Sequence, residues 1–112
     1  MVRIVAYLRP HRLEGVRSAV AALGVNGMTV SDCRGTGVSR EQSTWLGGFE
    51  AVSALPIRSK IEVVVPDARK DEVVHAIIEN ARTGEPDDGK IFIESVADAL
   101  RIRTGERGEI AV

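Results

Sequence analysis

The sequence is poor in the residues that cross-link or metallate small proteins. Its 112 residues include one cysteine, Cys33, and two histidines, His11 and His75. A single cysteine excludes an internal disulfide framework and fits a reducing compartment, and two separated histidines lack the spacing of a metal site. We therefore predict neither a disulfide nor a structural metal site.

Aromatic residues, long apolar runs and an excess of one charge are also lacking. Aromatics make up 4% of the chain, and 15 basic and 16 acidic residues give a formal net charge of −1. Scattered charges of both signs argue against nonspecific nucleic-acid binding. No apolar run approaches membrane-spanning length, which argues against membrane insertion. We expect a soluble, cytosolic chain with a single domain over residues 1–112.

Hydrophobic periodicity predicts strands and helices in a definite order. A two-residue period indicates a strand, and apolar residues every three or four positions indicate a helix. The order is βαββαβ, which predicts an α+β, ferredoxin-like fold. A short basic strand over 100–103 would follow it. The predicted elements are a strand over 2–9, a helix over 13–23, strands over 28–34 and 57–65, a helix from 67 or 68 to 80, and a strand over 90–96.

Residues 38–55 lie between the second and third predicted strands and show no sustained period. They combine polar side chains with Gly47 and Gly48. A connection of this length in a compact domain is usually functional or disordered. We therefore predict a long effector loop.

Three segments combine glycine with polar or basic residues: 35–37, 83–90 and 100–106. Glycines allow backbone amides to approach an anion, and Lys and Arg neutralise its charge. The same features are typical of ordinary turns and of an exposed edge strand. From the residues alone, phosphate binding and a purely structural role both stay open.

Several segments, in this order and over essentially the whole chain, resemble the PII signal-transduction family of nitrogen regulation. The last two of them are the most specific. The matching segments are Arg9-Pro10, Gly27-Met28-Thr29-Val30, Lys60-Ile61-Glu62-Val63-Val64-Val65-Pro66, Thr83-Gly84, Asp88-Gly89-Lys90-Ile91-Phe92 and Arg101-Ile102-Arg103-Thr104-Gly105-Glu106.

The resemblance implies a homotrimer that binds ATP or ADP in clefts between subunits. Through residues 38–55 it would control a target protein, a transporter or a metabolic enzyme, in nitrogen or carbon metabolism. Thr29 and Val64 would hold the adenine, and Gly89 with Lys90 would hold phosphate. The implied nucleotide-binding residues are Thr29, Gly35, Gly37, Val38, Glu62, Val64, Asp88, Gly89, Lys90, Arg101 and Arg103.

The effector loop departs from the family's pattern. Ala51 replaces the tyrosine that classical members modify with a nucleotide, which excludes that modification, and Phe49 replaces a phosphorylated serine. Ser39 replaces a glutamine that helps to bind magnesium and 2-oxoglutarate, and Arg58 replaces a lysine that pairs with the distal carboxylate of 2-oxoglutarate. Arg58 can still pair a carboxylate bidentately, but a serine hydroxyl is a weaker metal ligand than an amide carbonyl, which argues against both ligands. Trp45 and Phe49 offer an apolar partner-binding spot, or Trp45 packs on its own subunit.

Two further substitutions lie near the implied phosphates. Val38 replaces an arginine, and Asp87 replaces a glycine and adds a carboxylate, which favours ADP or AMP over ATP. Two alternatives stay open: a ferredoxin-like trimer that binds a metal or another small ligand, and a weak nucleotide hydrolase. No base or metal-binding carboxylate pair accompanies Lys90, so we predict a regulator and not an enzyme.

Overall fold

The computed structural model describes residues 1–25, 27–35, 43–46, 49–52 and 55–112; for residues 43–46 and 49–52 it describes the backbone alone. Two α-helices, three short 3-10 helices and six strands lie in these ranges. The α-helices are α1 (Leu13–Ala22) and α2 (Lys70–Ala81). The strands are β1 (Val2–Leu8), β2 (Met28–Arg34), β3 (Ser43–Leu46), β4 (Phe49–Val52), β5 (Ile57–Val65) and β6 (Gly89–Ser95).

Four strands form one antiparallel sheet in the order β2-β5-β1-β6. The first strand pairs along its whole length with β5, from Val2 opposite Val65 to Leu8 opposite Ser59. Strand β5 thus lies between β1 and β2, the two strands that α1 connects. This arrangement is the split βαβ plan, and it confirms the predicted ferredoxin-like fold.

Both helices begin after a proline and one turn of 3-10 helix. Pro10 starts the turn before α1, and Pro66 precedes the turn before α2. Gly24 follows α1 with φ +83°, a conformation that glycine adopts without steric cost. Within the described ranges, no helix is both long and apolar enough to cross a membrane.

The core lies between the helices and one face of the sheet. Its helical part comes from Val16 and Val20 of α1 and from Val73 and Ile77 of α2. The strands contribute alternate apolar residues, as a period of two requires. The strand residues of this cluster are Val2, Ile4, Ala6, Leu8, Ile61, Val63 and Val65.

The effector loop contains more regular structure than the sequence analysis expected. Strands β3 and β4 pair antiparallel, with Ser43 opposite Val52 and Leu46 opposite Phe49. The available sequence signal was Gly47-Gly48, because two glycines between short β-prone runs are typical of a hairpin connection. The segment over 38–55 is therefore not wholly irregular.

The predicted basic strand over 100–103 is wrong. Leu100 forms one isolated bridge with Arg107, and residues 102–104 form a turn. The amide of Gly105, at φ +73°, donates to the carbonyl oxygen of Arg101 at 2.8 Å. The chain reverses so soon after Leu100 that a strand ladder has no room to extend.

Candidate functional site

The sheet has one face packed against the helices and one open face, and β5 shows the difference. Because successive side chains of a strand point to opposite faces, its residues alternate between the two. The open face of β5 carries two cations and a carboxylate. Ser59, Ile61, Val63 and Val65 are buried, whereas Arg58, Lys60, Glu62 and Val64 are half-buried on the open face.

The strand register places a second lysine close to these side chains. Lys60 lies opposite Tyr7 of β1, and Tyr7 lies opposite Lys90 near the start of β6. The Lys60 ammonium is 5.9 Å from the centroid of the Tyr7 ring, and that ring meets Phe92 edge to face at 6.2 Å. A row of lysine, tyrosine and lysine thus crosses three strands.

One end of the open face forms a cleft of about 650 Å³, which we call the loop cleft. The amide of Gly35 donates to the Pro56 carbonyl oxygen at 3.1 Å, and Arg34 donates to that of Leu55 at 3.3 Å. The described residues that flank the segment 36–54 are therefore joined to one another by hydrogen bonds beside the cleft. Its lining residues are Tyr7, Cys33, Arg34, Gly35, Arg58, Asp87, Asp88, Gly89, Lys90 and Phe92.

The carboxylate of Asp88 holds the loop over residues 83–88 in shape. Its Oδ2 atom accepts hydrogen bonds from the backbone amides of Thr83 at 2.9 Å and Gly84 at 3.0 Å. Its Oδ1 atom accepts bonds from the Thr83 hydroxyl and from Nε of Arg9, the latter at 3.2 Å. The carboxylate is thus engaged by the loop's own donors and by Arg9.

These bonds also shift the ionisation of Asp88. The Thr83 hydroxyl contributes most, and the Thr83 and Gly84 amides and Arg9 add to it; together they hold the pKa of the Asp88 carboxyl well below its usual range. Partial burial opposes the shift but does not cancel it. Asp88 is therefore ionised throughout the physiological range.

Gly89 brings the loop backbone against β1. Its φ is +119°, and a Cβ atom built there would lie 1.8 Å from the carbonyl oxygen of Tyr7. No L side chain fits at that separation. Glycine is required here by close backbone packing, whether or not a ligand binds.

Two cations of the loop cleft differ in their surroundings. The Arg58 guanidinium forms an ion pair with the carboxylate of Asp87, and the two side chains are 12% and 13% exposed. Lys90 is exposed, and among the described residues its ammonium has no ion-pair partner. Lys90 is thus accessible to an external anion, whereas Arg58 already has a carboxylate.

A second cleft of about 410 Å³ lies farther along the open face and is lined in part by Thr29, Glu62, Val64 and Arg101. Thr29 lies opposite Glu62 in the sheet. The Glu62 carboxylate contacts Nζ of Lys60 at 2.7 Å and Nη2 of Arg3 at 3.0 Å. The hydrogen bond to Lys60 is the main cause that lowers the pKa of Glu62.

The two arginines of the C-terminal segment are placed differently. Arg101 lines the second cleft, and its Nη1 lies 3.7 Å from a carboxylate oxygen of Glu106. Arg103 lies in the turn over 102–104, is exposed and borders neither cleft. A single chain therefore does not bring Arg103 together with Lys90.

Comparison with known proteins decides the family. The family described as "Nitrogen regulatory protein P-II" matches residues 1–106. The chain is 41% identical to nitrogen regulatory protein P-II of Haemophilus influenzae over 112 residues, all of both chains. It is 45% identical over 113 residues to P-II 2 of Methanothermobacter thermautotrophicus, covering all of this chain and 97% of the relative. Escherichia coli K12 P-II 1 is 41% identical over 112 residues, again over all of both chains.

The chain belongs to the P-II family. Proteins of this family are regulators, and these relatives are named as nitrogen regulatory proteins. The chain is therefore a signal-transduction regulator of nitrogen metabolism and not an enzyme. The resemblance inferred from the sequence motifs is confirmed.

Not every residue that the P-II resemblance implies falls within the described structure. Gly37, Val38 and Ser39 lie outside it, and so do the side chains of Trp45 and Phe49. Their roles stay predictions. Of the others, Gly35, Asp88, Gly89 and Lys90 line the loop cleft, and Thr29, Glu62, Val64 and Arg101 line the second cleft.

The sequence analysis missed the partners of the key carboxylates. Thr83, five residues before Asp88, follows a helix and could have been recognised, because Asx-type and Ser/Thr-type turns bind backbone amides at such short separations. Arg9 is 79 residues from Asp88, and no local signal connects them. Across the described residues, no group of three or more His, Cys, Asp or Glu side chains is placed to hold a metal ion.

Proposed function

We propose that this P-II chain senses adenine nucleotides, with phosphate held in the loop cleft, and controls a target protein through residues 38–55. Lys90 carries this proposal. Its ammonium is exposed in a cleft whose loop is already fixed by Asp88. A fixed backbone beside an accessible cation is a suitable receptor for a polyanion.

The loop cleft also connects an occupant to the effector loop. Gly35 and Arg58 line the cleft, and they flank the segment 36–54 on its two sides. A ligand shifts a conformational equilibrium only as far as it contacts the two conformations differently. A nucleotide that contacts Gly35 or Arg58 therefore acts where the effector loop begins and ends.

We expect a homotrimer, because the implied residues are divided within one chain. Arg103 is exposed and lines neither cleft, so in this proposal a neighbouring copy supplies it to the bound nucleotide. An intersubunit site would combine Lys90 of one copy with the 100–106 segment of its neighbour. Sedimentation equilibrium of the purified chain tests this directly, and a monomer at micromolar concentration would contradict it.

The ion pair between Asp87 and Arg58 affects which nucleotide the cleft would favour. An isolated Asp87 carboxylate would repel a triphosphate, but the adjacent guanidinium offsets its charge. The charge of Asp87 therefore gives no reason to expect ADP or AMP to bind more tightly than ATP, and titration with the three nucleotides measures the preference. Magnesium and 2-oxoglutarate are not part of this proposal.

Calorimetric titration with ATP, ADP and AMP tests nucleotide binding. We expect Lys90→Ala to weaken ADP and ATP binding about 10- to 100-fold, the equivalent of one charged hydrogen bond. Lys70→Ala, which removes the same charge at the start of α2, should leave binding unchanged. If the parent chain binds none of the three nucleotides at millimolar concentration, the sensor proposal is rejected.

A further inference from the structure

Arg58 and Asp87 form the most buried side-chain ion pair in the described part of the chain. They come from different elements, since Arg58 is the second residue of β5 and Asp87 belongs to the loop before β6, 29 positions away. Arg58 also donates through Nη1 to the Ile57 carbonyl oxygen at 3.2 Å. The guanidinium is thus held at the wall of the loop cleft.

The backbone of Asp87 has a conformation that is unusual for a residue with a side chain. Its φ is +68°, and among the described residues it is the one non-glycine with a positive φ. Glycine adopts this conformation without steric cost, whereas a side chain there is disfavoured, least so for Asn and Asp. A carboxylate kept in such a conformation, with its oxygen on Arg58, points to a role for that carboxylate.

We infer that Asp87 is an internal carboxylate that occupies Arg58 and thereby excludes external carboxylate ligands from the loop cleft. Among the described residues, three cationic side chains line the cleft, of which Arg34 donates to the Leu55 carbonyl oxygen. Arg58 is already paired with the carboxylate of Asp87, whereas Lys90 is accessible to an external anion such as phosphate. Asp87 is a specificity-determining residue in this scheme, because it decides which anions the cleft accepts.

The competition favours the internal group. A carboxylate tethered beside its partner has an effective concentration of the order of millimolar or higher, and a rigid setting raises it further. An external carboxylate must displace Asp87 from a site where both side chains are mostly buried. It would leave the Asp87 carboxylate without its partner, and an unpaired, partly buried charge is unfavourable.

This inference does not depend on nucleotide binding, so its test uses nucleotide-free protein. Glutarate, a flexible dicarboxylate, serves as the probe and is titrated calorimetrically into the parent chain and into Asp87→Asn. Asparagine has nearly the same shape and tolerates the left-handed conformation, so the loop is retained while the charge is removed. We expect glutarate to bind Asp87→Asn at least about tenfold more tightly than the parent, or about 1.4 kcal/mol.

Three further variants separate this explanation from others. Asp71→Asn removes the same charge from an exposed position on α2 and should behave as the parent does. Asp87→Gly provides a second test if asparagine disturbs the loop, because glycine is unstrained at this φ. In the double variant Asp87→Asn with Arg58→Met, the gain should disappear.

Two results would overturn the inference. One is equal glutarate affinity, or equal absence of binding, in the parent and in both Asp87 variants when circular dichroism shows them folded. The other is a gain that persists after Arg58 has been replaced by methionine. Either result would show that Asp87 does not keep external carboxylates from Arg58, whatever the outcome of the nucleotide titrations.

Discussion

Replacing Asp88 by asparagine tests whether one carboxylate organises the loop before β6. In the parent chain each carboxylate oxygen accepts two hydrogen bonds, from Thr83, Gly84 and Arg9. Asparagine keeps one acceptor oxygen, and its NH₂ group must face donors in place of the other. At least two bonds to a charged acceptor are therefore lost.

The expected magnitude follows from those bonds. A hydrogen bond to a charged group contributes about 1.5 to 3 kcal/mol. The Asp88 side chain is 23% exposed, so water replaces part of what is lost and the lower end of that range applies. Two bonds at that lower end sum to about 3 kcal/mol, so we expect Asp88→Asn to lower the free energy of unfolding by about 3 kcal/mol at pH 7.

The difference should depend on pH with a definite sign. The pKa of Asp88 is depressed in the folded chain, whereas the pKa of an unfolded aspartate is about 3.9. Its contribution is therefore complete above the unfolded pKa and is lost as the pH falls through the folded pKa. The difference between parent and variant should be constant from about pH 7 to 5 and shrink below about pH 4.

Urea unfolding followed by circular dichroism at pH 7, 5 and 3.5 measures this difference. Protein concentration must be held constant, because an oligomer's stability depends on it. Asp71→Asn is the control for loss of an exposed charge and should change stability by less than about 0.5 kcal/mol. A difference for Asp88→Asn that is below about 0.5 kcal/mol at pH 7, or that is unchanged at pH 3.5, would refute the reasoning.

Three other predictions concern packing and the ligand. Gly89→Ala should lower the free energy of unfolding by about 3 kcal/mol, because its Cβ would overlap the Tyr7 carbonyl; a melting temperature within about 4 °C of the parent would contradict this. Ile77→Ala should cost about 2 to 5 kcal/mol in urea unfolding, whereas His75→Ala, at an exposed position of the same helix, should cost less than about 0.5; equal losses would disprove the assigned core. Arg103→Ala should weaken ADP binding by about 1.5 to 3 kcal/mol without changing the sedimentation of the oligomer, and unchanged affinity would argue against its proposed role.

The sequence by itself determined most of the fold. Alternation along β1 and β5 and the three- and four-residue spacing in α1 and α2 each reflect burial of one face, which is a local property of the chain. Prolines and glycines marked the ends of these elements for steric reasons that are also local. The family motifs in 83–92 and 101–106 added the regulatory function, because their residue types and order are specific.

Only the tertiary structure decided how the charged side chains are used. Arg58 meets Asp87 and Arg9 meets Asp88 across 29 and 79 positions, and these pairs exist because the sheet register brings β1, β5 and β6 together at one end. The reversal that replaces the expected strand over 100–103, in contrast, is made by contacts within the segment, from the Gly105 amide to the Arg101 carbonyl oxygen and across the Leu100–Arg107 bridge. Sequence periodicity indicates which face of an element a residue occupies. Which charged side chains form ion pairs depends on distances between elements, and these are fixed only when the strands have paired.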